Sequence, residues 1–327
     1  MISVAEARQR VLQNLRPMPS EIVALDRAHG RYLAENILAR VTQPPFDVSA
    51  MDGYAVRAVD VAKVPATLTL AGESAAGGRH EGAVGAGQAV RIFTGAPVPP
   101  GADAIVIQED TEAGDGTVIV REGAAAGTYI RRAGLDFTAG DIGVTAGQRL
   151  TARQVGLAAA MNVPWVAVAS RPRIGLIATG DEIVRPGEPI GANQIVSSNA
   201  LALAGLIKAT GGIPVDLGIA RDNEQSLRRL ARGAEAVDMV VTLGGASVGD
   251  HDLIRQVLGG EGLELDFWQI AMRPGKPLMF GAMAGTPMLG MPGNPVSSLV
   301  CGLLFLRPAI LAMLGAASTA LPEISVR

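Results

Sequence analysis

The sequence predicts a multidomain α/β fold: a helical elongated domain, a small β-rich domain and a doubly wound α/β domain. Three changes of texture along the chain predict it. Apolar residues recur at helical spacing near the N-terminus, and short β-branched runs among dense Gly and Pro follow from Thr42 to Phe137. From Arg173 onward, strand, loop and helix patterns alternate. The boundaries that follow are 1–41 with 141–172 for the helical part, 42–140 for the β-rich part and 173–317 for the α/β part.

In the first part, Val4–Leu15 and Leu25–Leu38 carry the helical spacing, with Ser3 as N-cap and Glu6 three residues on. In the second, Ala66–Ala71, Ala89–Phe93, Ala104–Gln108 and Thr117–Arg121 read as strands. Thr151–Met161 reads as a helix returning to the N-terminal helices. In the third, strands are expected at Ile174–Ala178, Val215–Ile219, Met239–Leu243, Leu263–Ala271, Leu278–Phe280 and Met288–Leu289. Helices are expected at Ser198–Ala209, Glu224–Gly233, Leu253–Leu258 and Val296–Leu314. Such alternation implies a mostly parallel sheet with helices on both faces.

Composition narrows the function classes. The 327 residues are 48% hydrophobic and 18% charged, a globular balance that argues against disorder. Lys and Arg number 28 against 31 Asp and Glu, a net charge of −3, and aromatics reach only 3%. A basic face with stacking rings is therefore missing, and nucleic acid is not an expected partner. One cysteine, Cys301, excludes an internal disulfide framework and fits a reducing compartment. Glu6, Arg8 and Arg10 interrupt the first apolar pattern, so no signal peptide is read there. Arg307-Pro308 divides the longest apolar stretch, Leu299–Ala317, into pieces too short to span a bilayer. The expectation is a cytoplasmic protein with no membrane contact.

In open α/β sheets, ligands bind outside the carboxyl ends of the strands. Five polar or Gly-rich segments fall there: Thr179-Gly180-Asp181-Glu182, Arg221-Asp222, Gly244–Asp252, Arg273–Pro277 and Pro292–Pro295. Gly-rich turns at helix starts expose backbone N–H groups to anions, and Lys276 adds a point charge. Asp181, Glu182, Asp222, Asp250 and Asp252 would repel a bare phosphate, so a divalent cation such as Mg²⁺ is expected between them. That pattern points to a phosphate ester or nucleotide being cleaved or transferred. Each segment also has a plainer reading: TGDE as a helix cap, GGASVGD as a tight turn, PGNP as a turn.

The N-terminal half holds three further segments. Gln43–Ala55 reads as a linker stiffened by two prolines or as a rigid loop presenting Asp52. Arg91–Pro97 is a strand end and turn or a loop offering the Thr94 hydroxyl, and Arg131–Asp136 a solvated charge patch or an anion and metal contact. His29, His80 and His251 are scattered, with no zinc-ligand spacing.

Seven blocks in one order carry a resemblance: PPFDVSAMDGYA at 44–55, RIFTGAPVPPGADAIV at 91–106, RRAGLD at 131–136, TGDE at 179–182, GGASVGDHD at 244–252, RPGKP at 273–277 and MPGNPVS at 291–297. They cover nearly the whole chain, which resembles the molybdopterin molybdenumtransferase family, the MoeA proteins and the gephyrin E domain. The resemblance implies that the α/β domain binds molybdopterin. It implies cleavage of adenylylated molybdopterin in a molybdate-dependent, Mg²⁺-assisted step, with AMP released. It also implies a homodimer in which the α/β domain of one subunit faces the β-rich domain of the other. An adenylyltransferase would hand over the substrate.

By the same resemblance, Asp52, Thr94, Glu182, Asp222 and Asp252 are catalytic, and Glu182, Asp222 and Asp252 hold the metal. Substrate contacts would come from Asp136, Thr179, Gly180, Asp181, Gly244, Gly245, Ser247, Gly249, Asp250, Arg273, Lys276, Pro292, Asn294, Pro295 and Ser297. Lys276 and Ser297 among them would contact molybdate. The family usually carries a further C-terminal β domain, and residues 318–327 would be its start. Two other readings stand beside this one: a molybdopterin adenylyltransferase, which would not need the Asp52 and Thr94 blocks, and a catalytically impaired molybdopterin-binding scaffold.

Overall fold

The computed structural model describes residues 1–75, 77–221, 223–226, 232–244 and 262–320. The chain divides into two compact units, one of residues 37–143 with 157–163, the other of 1–36, 144–156 and 164–327.

The unit of residues 37–143 is built on a six-stranded sheet. Its strands are β1 (Gly53–Val56), β2 (Ala66–Ser74), β3 (Gln88–Ile92), β4 (Ala104–Ile107), β5 (Thr111–Ala113) and β6 (Thr117–Val120), in spatial order β4-β1-β3-β2-β6-β5. The four strands expected here are all present. Val56, Leu68, Val118 and Val120 fill one side of the sheet; Ala55, Val90, Ile92 and Ile105 fill the other. Gly53 sits where a Cβ would come within 2.0 Å of the Val106 carbonyl, so only glycine lets the two strands pair there.

The other unit opens with helix α1 (Val4–Gln13), whose Ser3 hydroxyl accepts a hydrogen bond from the Glu6 N–H. The second expected helix, Leu25–Leu38, does not form. Ser20–Ala24 pairs antiparallel with Trp165–Ala169, Leu25–Arg27 makes a single 3₁₀ turn, and Ile37–Leu38 is a short strand. Gly30 at φ +79° ends any helical run, and the amides of Gly30 and Leu33 donate to the carbonyls of Leu150 and Gln148 instead. The N-terminal 41 residues thus hold one α-helix. Helix α2 (Ala152–Ala160) forms as expected.

The second sheet contains β7 (Arg173–Thr179), β8 (Ile213–Ala220), β9 (Met239–Leu243), β10 (Leu263–Phe267), β11 (Met279–Met283) and β12 (Thr286–Met291), ordered β8-β7-β9-β12-β11-β10. The first four in that order are parallel neighbours. β11 runs antiparallel to both β12 and β10, because Gly285 at φ +83° turns it directly into β12. β10 therefore runs in the same direction as β12. Its following loop, 273–277, opens on the same edge as the loops after β7, β8, β9 and β12.

Helices α3 (Asn199–Thr210), α4 (Pro295–Cys301) and α5 (Arg307–Met313) cover one face, with Leu203, Ile207, Phe305 and Ile310 fully buried beside Ala7 and Val11 of α1. On the other face Ile177, Val240, Met279 and Met288 form a smaller core. Residues 224–226 are helical, but residues 227–231, half of the helix expected over Glu224–Gly233, and all of Leu253–Leu258 lie outside the described residues; Arg232–Ala236 is a 3₁₀ turn. The final helix forms across Arg307-Pro308, so the pair does not cut the apolar stretch into short pieces. A π-turn over Gly302–Leu306 precedes Pro308, and this wider turn accommodates the ring and missing N–H, so the helix runs for 19 residues from Pro295 to Met313. It is long and apolar enough to cross a membrane by composition, yet 61% of its most apolar window is buried in this core.

Candidate active site

A cavity of about 600 Å³ opens at the carboxyl edge of the second sheet. Thr179 lines it from the end of β7, Gly180 and Glu182 from the loop that follows, Gly244 from just past β9, Lys276 from the β10–β11 loop, and Pro292, Asn294, Pro295 and Ser297 from the loop and helix after β12. Nine of the site residues expected from the sequence thus share one cavity. Asp181 and Arg273 belong to the same loops and are exposed, but do not line it. Asp222, Gly245, Ser247, Gly249, Asp250 and Asp252 lie outside the described residues.

Two helices start on this cavity, so their dipoles favour negative charge there. Asn294 caps α4: its Oδ1 accepts from the N–H groups of Val296 and Ser297, each at 3.1 Å. Asn199 at the start of α3 donates from Nδ2 to the Gly293 carbonyl at 2.7 Å, tying the two helix starts together. Ser298, buried behind them, donates to the Pro292 carbonyl.

The bare-amide reading needs correction at two positions. The Gly180 N–H donates to the Ala220 carbonyl at 3.0 Å and the Gly244 N–H to the Met291 carbonyl at 3.1 Å. Both amides are spent at the sheet edge, so neither can cradle a phosphate. What makes Gly244 a glycine is its φ of +93° and a Cβ position 2.9 Å from the Thr179 hydroxyl. That hydroxyl donates to the Leu243 carbonyl at 3.2 Å. Gly180 has φ +133°, and a Cβ there would meet the Glu182 carboxylate at 2.3 Å; the carboxylate is folded back over its own turn.

Sequence reasoning missed several cavity residues: Ser197, Ser198 and Asn199 at the start of α3, Ile183, Ile195 and Val196 of a short strand pair, and Gln269. Ser-Ser-Asn before an apolar helix is a visible capping signal. Nothing in the sequence marks Gln269. Cys301 is fully buried in the core beside the loop glycine Gly275, and burial pushes its thiol up to about 12.

The other unit holds Asp52, Thr94 and Asp136. The Asp52 carboxylate accepts from the Thr94 N–H at 2.7 Å and from its hydroxyl at 2.8 Å. These two donors, with the charge of Arg91, hold Asp52 below the ordinary carboxylate range. The Arg91 guanidinium lies 5.0 Å from the ring centres of both Tyr54 and Phe93 and donates to Gln108 at 2.7 Å. Asp136 is exposed, its amide bound to the Gln43 carbonyl at 3.0 Å. Asp47 accepts from the Ala133 N–H and from Arg132, so the 43–49 and 130–137 segments brace each other.

Among the described residues no three His, Cys, Asp or Glu side chains gather as a metal cage. Glu182 still faces a cavity whose helix starts favour anions, and one carboxylate completed by substrate phosphates is a donor set that Mg²⁺ accepts.

Residues 2–162 match the family model for the MoeA N-terminal region (domain I and II), and residues 175–312 match that for a "Probable molybdopterin binding domain". The molybdopterin molybdenumtransferase of Haemophilus influenzae is 36% identical over 318 residues, which is 96% of this chain and 78% of that protein. That of Nostoc sp. is 38% identical over 299 residues, covering 89% and 69%. The crystal structure of the molybdopterin biosynthesis MoeA protein of Pyrococcus horikoshii superposes with a TM-score of 0.85 at 34% identity, covering 97% of this chain and 81% of that one.

Proposed function

The chain belongs to the MoeA family, and we propose that it inserts molybdenum into molybdopterin. It is a molybdopterin molybdenumtransferase acting in molybdenum cofactor biosynthesis. In this reading, adenylylated molybdopterin and molybdate are the substrates: the pyrophosphate bond is cleaved, AMP leaves, and molybdenum enters the dithiolene. The observation that carries the reading is the gathering of Thr179, Glu182, Lys276, Asn294 and Ser297 around one cavity, where helix starts, a cation and a carboxylate meet.

Lys276 and Ser297 bind molybdate, a tetrahedral dianion suited to a cation and a hydroxyl beside helix N-termini. Glu182, with Asp222 and Asp252, holds Mg²⁺, which when bound neutralises charge on the phosphoryl group being cleaved. Gly245, Ser247, Gly249 and Asp250 complete the phosphate contacts, and Arg273 and Asp181 contribute further substrate contacts. Asp52, Thr94 and Asp136 meet the substrate from the β-rich unit of a second copy in a homodimer. The substrate is supplied by a molybdopterin adenylyltransferase, in the cytoplasm, where a single thiol stays reduced.

The test is AMP release from adenylylated molybdopterin with and without molybdate. Molybdate-dependent release is expected. Pyrophosphate release from molybdopterin and Mg-ATP would point instead to an adenylyltransferase, and tight binding without AMP release to a scaffold.

A further inference from the structure

We infer that Arg221 is a positioning residue that clamps the loop carrying Glu182 and couples it to the end of β8. The inference rests on the proposed function for its catalytic consequence, though not for its geometry. Arg221 directly follows β8 and does not line the cavity. One of its guanidinium nitrogens, Nη1, donates to three carbonyls of that turn: Asp181 at 2.9 Å, Ile183 at 3.2 Å and Gly180 at 3.4 Å. Three carbonyls directed at one cation fix the sense of the whole turn. Its own N–H donates to the Ser226 hydroxyl at 3.0 Å, and the Ser226 N–H donates to Asn223, so the residue is braced from behind.

The turn needs such a clamp. Gly180 lies at φ +133°, a conformation open to glycine, and the Glu182 carboxylate folds back over it. The backbone ties of the turn are single bonds: Gly180 N–H to Ala220, Ile183 N–H to Gly180 and Ile195 N–H to the Glu182 carbonyl. The two N–H groups of Nη1 are shared among the three carbonyls, and the guanidinium keeps its charge at any pH at which the protein is folded.

Arg221→Met and Arg221→Lys test this, with Arg185→Met as the control. Arg185 removes a nearby cation whose contact is with Asp216 at 3.2 Å. For Arg221→Met, the Mg²⁺ concentration giving half-maximal AMP release is expected to rise about tenfold, as for other residues that orient a metal ligand. Amide exchange at residues 180–184 should quicken by about tenfold while that of Met239–Leu243 stays unchanged. Arg221→Lys should recover part of both losses, and Arg185→Met should match the parent. Unchanged Mg²⁺ dependence and unchanged exchange at 180–184 in Arg221→Met would overturn the inference, as would exchange that quickens equally in β9. If the parent itself shows no molybdate-dependent release, the proposed function fails, while the exchange measurement still decides whether the clamp exists.

Discussion

At the scale of single residues, the contact that most constrains chemistry is the Asp52–Thr94 pair. Two donors from one residue converge on one carboxylate oxygen, and both favour its charged form. The native pKa of Asp52 therefore lies below its ordinary 3.8. A carboxylate depressed in the folded state contributes stability above its unfolded pKa and loses it as pH falls through the folded value. Thr94→Val removes the hydroxyl donor, so its destabilisation should be present from pH 5 to 7 and shrink below pH 3.8. Urea midpoints of parent and variant across that range measure it; a gap that widens toward acid would refute the assignment. Asp52 stays ionised at neutral pH, which within the proposed function suits contact with a cation-bound phosphate better than the role of a general acid.

At the scale of elements, the start of α4 shows how one motif serves two ends. PGNPVS supplies Asn294 as N-cap, Pro295 at the first helical position and Ser297 toward the cavity. The cap keeps the amides of Val296 and Ser297 satisfied, and so keeps the helix start aligned with the pocket. Asn294→Ala should cost about 1 kcal/mol of stability, in the usual range for a lost cap, whereas Asn294→Ser should retain most of it. Denaturant midpoints test this, and AMP release then separates the roles. Normal activity in the Ser variant assigns Asn294 to capping; a stable but inactive Ser variant assigns it to substrate.

The loops of this edge were readable in the sequence because their grammar is local. Thr179–Glu182, Gly244 and Pro292–Pro295 are set by glycines at positive φ and prolines at helix starts, and these mark themselves. Features that depend on distant partners left no such mark. Three carbonyls of 180–183 reach Arg221 about forty residues on, a meeting that only the parallel pairing of β7 with β8 creates. Leu25–Leu38 has apolar spacing that suits a helix, yet its amides are claimed by strands and loops from residues 148–169. The final helix was expected across Pro308, but the π-turn that accommodates the ring is not encoded by any residue type alone. The spent amides of Gly180 and Gly244 follow from strand ends meeting at the edge, so a glycine count overstated the anion cradle.

At the scale of the whole molecule, the proposed function draws residues from both compact units. Asp52 and Thr94 belong to the unit of residues 37–143, and Glu182 and Lys276 to the other. If the working site joins these halves from different copies, mutations in the two halves must complement. Asp52→Ala and Glu182→Gln should each abolish molybdate-dependent AMP release alone. In a mixed dimer carrying one chain of each, one site holds both substitutions and the other neither. Random pairing of equal amounts makes half the dimers mixed, so about a quarter of parental activity should return. Co-expression with two different tags and purification of the doubly tagged dimer raises that to about half. Mixed dimers that form but stay inactive would place both halves of each site in one chain, because then every site in the mixture would carry one lesion.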